Sequence, residues 1–180
     1  MLQFSTASKE NAEENADATP LWHVIHCRPR CEKKAAEWLQ REAFEVFLPL
    51  RESLRIYPTK RVIFHIPLFP GYLFAKFPER LRRRVWQSEY VARVLEVFDQ
   101  EVILREMKNI RILLLASQNI QEHPFLQVGR RVRVVSGKLK GLEGFVETFR
   151  DKYRIVISVE LFQQSVCLEI DPRLLREVDV

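Results

Sequence analysis

Two kinds of apolar pattern alternate along Leu21–Ser117, and their periods predict alternating strands and helices. Trp22–Cys27 is a short aromatic and β-branched run, which predicts a strand. Arg30–Ala43 spaces Ala35, Trp38 and Leu39 for one face of an amphipathic helix. Phe44–Leu48 predicts a second strand, stopped by Pro49. Leu54–Tyr57 and Val62–Ile66 flank Pro58-Thr59-Lys60 and predict a hairpin with a basic tip. Leu68–Phe77 is apolar and aromatic, with a Pro70-Gly71 break; Tyr72, Phe74 and Lys76 fall on one face, Leu73, Ala75 and Phe77 on the other. Glu79–Gln87 predicts a short basic helix and Arg93–Phe98 another strand. Leu104–Ser117 sets Met107, Ile110, Leu113 and Leu114 along one helical side.

Beyond Gln118–Gln127, a polar stretch containing Pro124, the pattern changes. Arg131–Val135, Gly144–Phe149, Arg154–Val159, Val166–Ile170 and Leu174–Val178 are short strand candidates separated by turn signals, and no helix is predicted between them. Such a series suggests a small barrel. The expectation is an α+β chain: a disordered leader over 1–20, an α/β sandwich over 21–117, a linker over 118–127 and a five-stranded β-barrel over 128–180.

Composition narrows this little. A chain of 180 residues with 47% hydrophobic and 29% charged side chains fits one or two small globular domains. No apolar run approaches the roughly 18 residues a membrane span needs, and Met1–Thr19 lacks the apolar stretch of a signal peptide. A cytoplasmic location without membrane contact is the expectation. Three cysteines, Cys27, Cys31 and Cys167, make an odd count, which favours free thiols in a reducing compartment over a disulfide scaffold. The net charge is +5, although the first nineteen residues set four acids against Lys9. The remaining body is therefore strongly basic, as a nucleic-acid neighbour or simple solubility would explain equally.

The most specific local pattern lies at the start of the C-terminal strands. Gly129, Val132, Val134, Gly137, Lys140, Gly141, Gly144 and Val146 follow one another at fixed spacing. Val132 and Val134 share a strand face that should enter the core. The glycines permit tight turns, and Lys138 and Lys140 leave positive charge on the loop. This stretch resembles the KOW motif of NusG-type transcription factors and some ribosomal proteins. On its own, a generic SH3-like barrel without a nucleic-acid role remains the alternative.

A second resemblance comes from the N-terminal part. Trp22-His23-Val24-Ile25-His26-Cys27, the charged helix and Phe47-Leu48-Pro49 resemble the start of the NusG N-terminal (NGN) domain. Pro67-Leu68-Phe69-Pro70-Gly71-Tyr72-Leu73-Phe74 resembles its signature strand, and Arg93-Val94-Leu95 its next strand. Ile157–Phe162 and Val166–Asp171 resemble the end of the KOW domain. The chain is identified on these motifs as a member of the NusG/RfaH family. The resemblance implies an NGN-type sandwich with an antiparallel sheet and a five-stranded SH3-like KOW barrel. It implies a non-enzymatic factor that binds the RNA polymerase β′ clamp helices, bridges to the β subunit and suppresses pausing or termination, with the KOW domain recruiting Rho or the NusE ribosomal protein. By position, Phe69, Tyr72 and Phe74 fall on the clamp-binding patch, and His26 stands where RfaH has a tyrosine. Phe162 falls on the KOW contact residue, and Gln163 replaces the glycine that follows it in NusG. These departures, with Leu68–Phe77, suggest a specialised paralogue. Read from residue type alone, each of these aromatic side chains is nearly as well explained as core.

The densest basic run, Arg80, Arg82, Arg83 and Arg84, lies where RfaH contacts the β subunit; it could grip DNA phosphates or be a solvated face. Lys60 and Arg61 at the hairpin tip carry the same two readings. His23, His26, Cys27 and Cys31 are spaced poorly for a metal, since His23 and Cys27 share a strand face from which His26 points away. No phosphate loop, G-x-S-x-G or H-E-x-x-H motif occurs, so no enzyme and no cofactor is expected. The competing class is an RNA-binding, ribosome-associated KOW protein, which the N-terminal signature disfavours.

Overall fold

A computed structural model describes residues 19–115, 120–123, 130–149, 152–159 and 162–178. They divide into two compact units, one drawn from Met1–Leu48 and Pro70–Gln100, the other from Pro49–Phe69 and Glu101–Val180. The hairpin and the long helix therefore group with the C-terminal strands, a division that cuts across the 21–117 and 128–180 boundaries drawn from sequence.

The first unit is a four-stranded antiparallel sheet in the order β2 (Glu45–Phe47), β5 (Tyr72–Pro78), β1 (Pro20–Cys27), β6 (Val91–Leu95). One face carries Ile25, Cys27, Leu73, Ala75, Phe77 and Val94, packed with Ala35, Ala36 and Leu39 of helix α1 (Glu32–Arg41) and with Val85 of the short helix α2 (Arg82–Trp86). Each large side chain removed from water there stabilises by roughly 1.5–3 kcal/mol. Glu32 in the first turn of α1 and Arg41 in the last complement its dipole. Ala43 then turns the chain at φ +62 and sends Phe44 back with its N–H on the Leu39 carbonyl. The basic segment expected as one helix over 79–87 is a 3-10 turn at Glu79–Leu81 followed by α2.

In the second unit, β3 (Leu50–Ile56) and β4 (Arg61–Pro67) form the hairpin in an unbroken register from Leu50↔Pro67 to Ile56↔Arg61. The tip closes through Tyr57 N–H to the Lys60 carbonyl at 2.8 Å. Helix α3 (Gln100–Leu115) buries Ile103, Met107, Ile110 and Leu113 as a single stripe, while Leu114 is only half-buried. The C-terminal strands form an antiparallel sheet ordered β12 (Leu175–Glu177), β8 (Arg130–Val134), β9 (Glu143–Phe149), β10 (Lys152–Val159), β11 (Gln164–Glu169), β7 (Gln121–His123). Five of these are the strands read from sequence. The sixth, β7, lies inside the stretch expected as linker and pairs with β11. Ile155, Val156 and Ile157 are buried in succession, so β10 is covered on both faces. Asn109 of α3 accepts the Glu143 N–H, and a cleft of about 190 Å³ runs between α3 and β9–β10. The leader lies outside the described residues up to 18.

Candidate functional site

The aromatic face read from sequence is set by the pairing of β1 with β5. His26 stands opposite Tyr72, Val24 opposite Phe74 and Trp22 opposite Lys76, so these six share the face turned away from α1. The strand does not run through Leu68–Phe77 as one piece; it begins at Tyr72 because Gly71 turns the chain at φ +86. That turn is fixed from both sides. Gly71 N–H donates to Glu32 Oε1 at 2.8 Å, and the Gly71 carbonyl accepts from Cys27 N–H at 2.8 Å. The outcome is a parallel stack of His26 on Tyr72, ring centroids 4.9 Å apart and planes 17° apart, with both residues half-buried. Phe74, one step along the face, is fully buried and lies 5.8 Å from the Phe47 ring. Phe69 belongs to the second unit. It too is buried, edge-on to Phe162 with centroids 5.3 Å apart. The four residues expected at the polymerase therefore divide into an accessible pair, His26 and Tyr72, and two buried phenylalanines.

The basic run is sorted by its partners. Arg82 donates to Glu79 Oε1 at 3.0 Å and to the Val94 carbonyl at 3.1 Å, and Arg84 pairs with Glu42. Arg80 and Arg83 project without a partner among the described residues, as does Arg93 on β6. Together with Trp86 they border a cleft of about 570 Å³. Trp86 is 57% exposed, and its indole N–H donates to the Ala92 carbonyl at 3.2 Å. Trp86 and Arg93 were not singled out by sequence reasoning; the only available signal was a tryptophan two residues after three consecutive arginines. Lys60 and Arg61 are exposed at the hairpin tip.

His23 is buried, stacked on Phe77 at 4.1 Å, with Nε2 3.1 Å from the Phe77 carbonyl. Burial lowers its pKa against the smaller opposing pull of that carbonyl and of Glu79. The neutral ring then donates to the carbonyl. Burial also pushes the Cys27 thiol up to about 12. No cluster that could hold a metal occurs among the described residues.

In the C-terminal sheet Val132 and Val134 are buried, and Val146 is half-buried. Gly137 and Gly141 take φ +81 and +87 around the turn, where Gly141 N–H reaches the Val134 carbonyl at 2.8 Å and Lys140 is exposed. Gly144 is required by packing: a Cβ there would strike the Val156 carbonyl and lie 2.7 Å from Ile157 Cδ1. Gly129 lies outside the described residues. Gln163, next to Phe162, has φ +50, a conformation that suits glycine.

The family described as NusG: Transcription termination factor nusG matches residues 20–123, more than half of the chain. No curated protein matches the sequence. The C-terminal strands fit a KOW/SH3-like domain, and no helix among the described residues is long and apolar enough to cross a membrane.

Proposed function

Because the chain belongs to the NusG family of transcription factors, we propose that it is an elongation and antitermination factor that binds RNA polymerase at the β′ clamp helices and bridges to the β subunit. Its work is mechanical: holding the clamp closed suppresses pausing or termination, with no covalent chemistry by the factor. The observation that carries this reading is the family match over residues 20–123, which includes the whole aromatic face. The His26–Tyr72 stack supports it physically, since a half-exposed tyrosine on a rigid sheet is a low-entropy interface group. Phe74, on the same face, is buried beside Phe47 and contributes by holding the face.

The C-terminal strands close as a KOW barrel and recruit a further partner, Rho or the NusE ribosomal protein, through Phe162. That ring is buried edge-on to Phe69. Gln163 in place of glycine, His26-Cys27 and the Leu68–Phe77 segment favour a specialised paralogue acting in the cytoplasm.

Affinity capture of purified core RNA polymerase on the tagged chain tests the reading. Wild type retains polymerase, and Tyr72→Ala loses at least tenfold in affinity, in the range of interface hot spots of about 2 kcal/mol. Equal retention by Tyr72→Ala and by Phe74→Ala would remove the patch assignment.

A further inference from the structure

The hairpin β3–β4 turns an apolar side to water. Its register places Glu52, Leu54 and Ile56 on the same side as their cross-strand partners His65, Ile63 and Arg61. All six are exposed, Leu54 and Ile63 to 55% and Ile56 to 70%. The opposite side carries Arg51, Ser53, Val62 and Ile66, which are half-buried, and Arg55, which lies over the Phe64 ring. An antiparallel ribbon with one side partly covered is ordinarily polar on the other. Here the open side instead sets Leu54 directly across from Ile63, with Ile56 one step along. A contiguous exposed aliphatic strip of this kind marks an interaction surface.

The charges on this side say what fits the strip. Glu52 and His65 stand together at one end, 3.9 Å apart, and Arg61 stands at the other. Reversing the strand direction therefore exchanges acid for base, while the Leu54–Ile63 row falls on itself. Such a surface is its own complement, which is the requirement of a two-fold contact between identical chains. Charge also selects the axis. An axis across the strands brings each Glu52 to the end that holds the partner's Arg61, whereas an axis along the strands would set the two Arg61 side chains at the same end.

We propose that the chain self-associates as a two-fold dimer in which the open sides of two β3–β4 hairpins pack face to face. Leu54, Ile56 and Ile63 form the centre, and Glu52 pairs with the partner's Arg61 at each end. The two ribbons make a four-stranded sandwich with roughly 10 Å between its layers. Each covers an apolar side that a two-stranded ribbon alone leaves wet. So short a strip is smaller than the interface of a permanent dimer, so association is reversible and depends on concentration. The hairpin belongs to the second unit and the His26–Tyr72 face to the first, and the test needs no polymerase, so the two readings stand or fall independently.

Sedimentation equilibrium of the full chain, from about 1 µM to 1 mM at low salt, reads the association directly. Wild type passes from monomer toward dimer across that range. Ile56→Glu raises the dissociation constant at least tenfold, as about 1.4 kcal/mol at an interface centre would. Glu52→Arg and Arg61→Glu each weaken association roughly 5- to 10-fold, because each turns two attractions into two repulsions. Mixing these two charge variants restores the wild-type constant, since both ends of the mixed dimer then join an arginine to a glutamate. Thermal melts show that each variant is folded. Wild type that stays monomeric throughout overturns the proposal. So does a dimer that folded Ile56→Glu leaves as tight as wild type, or a mixture of the charge variants that associates no more tightly than either alone.

Discussion

Replacing Gly144 by Ala isolates the packing demand at the centre of the C-terminal sheet. Gly144 lies on β9 opposite Val132, and its missing side chain leaves room for the neighbouring strand β10. A Cβ there would overlap the Val156 carbonyl and approach Ile157 Cδ1 to 2.7 Å and Ile155 Cγ1 to 3.1 Å. The Ile157 methyl can rotate away, but the carbonyl cannot, because Val156 is fixed in the ladder opposite Phe145. Overpacking typically costs 1–3 kcal/mol, and an immovable backbone atom puts this case near the upper end, about 3 kcal/mol. For a chain of this length that is a fall in Tm of roughly 6–12 °C. Gly137→Ala is the matched control. Its φ is +81, but no heavy atom lies within 4 Å of the added Cβ, so only the left-handed conformation is penalised, by about 1–2 kcal/mol. Differential scanning calorimetry of both variants checks the difference. A Gly144→Ala melt equal to wild type, or no larger in effect than Gly137→Ala, would refute the steric reasoning.

Gln163 occupies a left-handed conformation, so Gln163→Gly should raise stability by about 1 kcal/mol in urea denaturation, net of the added freedom of the unfolded chain. The lowered pKa of His23 means that the unfolded state binds more protons, so unfolding free energy is greatest above the unfolded value of 6.5 and falls as pH drops from there toward the folded pKa. His23→Gln should flatten that slope, measured by urea melts between pH 5 and 8. Cys27 and Cys167 are buried with raised pKa values, whereas Cys31 is half-buried; a thiol reagent at pH 8 should label Cys31 first, as read by peptide mass mapping.

The sequence exposes the parts of this fold that are governed by local period. Trp22–Cys27, the α1 stripe and the alternation of Tyr72–Phe77 each follow from spacing, and Pro70-Gly71 marks the turn that starts β5. What escaped depends on partners far along the chain. β7 is Gln-Glu-His, with no apolar alternation; it is a strand because β11 offers it an edge. Arg84 differs from Arg83 only through Glu42, and Phe69 is buried against Phe162, more than ninety residues away. Trp86 and Arg93 belong to different elements and become one cleft only when α2 is set beside β6. Helix α3 begins four residues before the start expected at Leu104, where the Gln100 amide exchanges two hydrogen bonds with the Trp22 backbone.

The central claim is that the chain acts on transcribing RNA polymerase through the His26–Tyr72 face. Single-round elongation past a defined pause site, with increasing amounts of the protein, measures this directly. The account predicts that wild type shortens the pause or increases read-through, and that Tyr72→Ala needs about tenfold more protein for the same effect. Pause lifetimes unchanged at every concentration of wild type would contradict it.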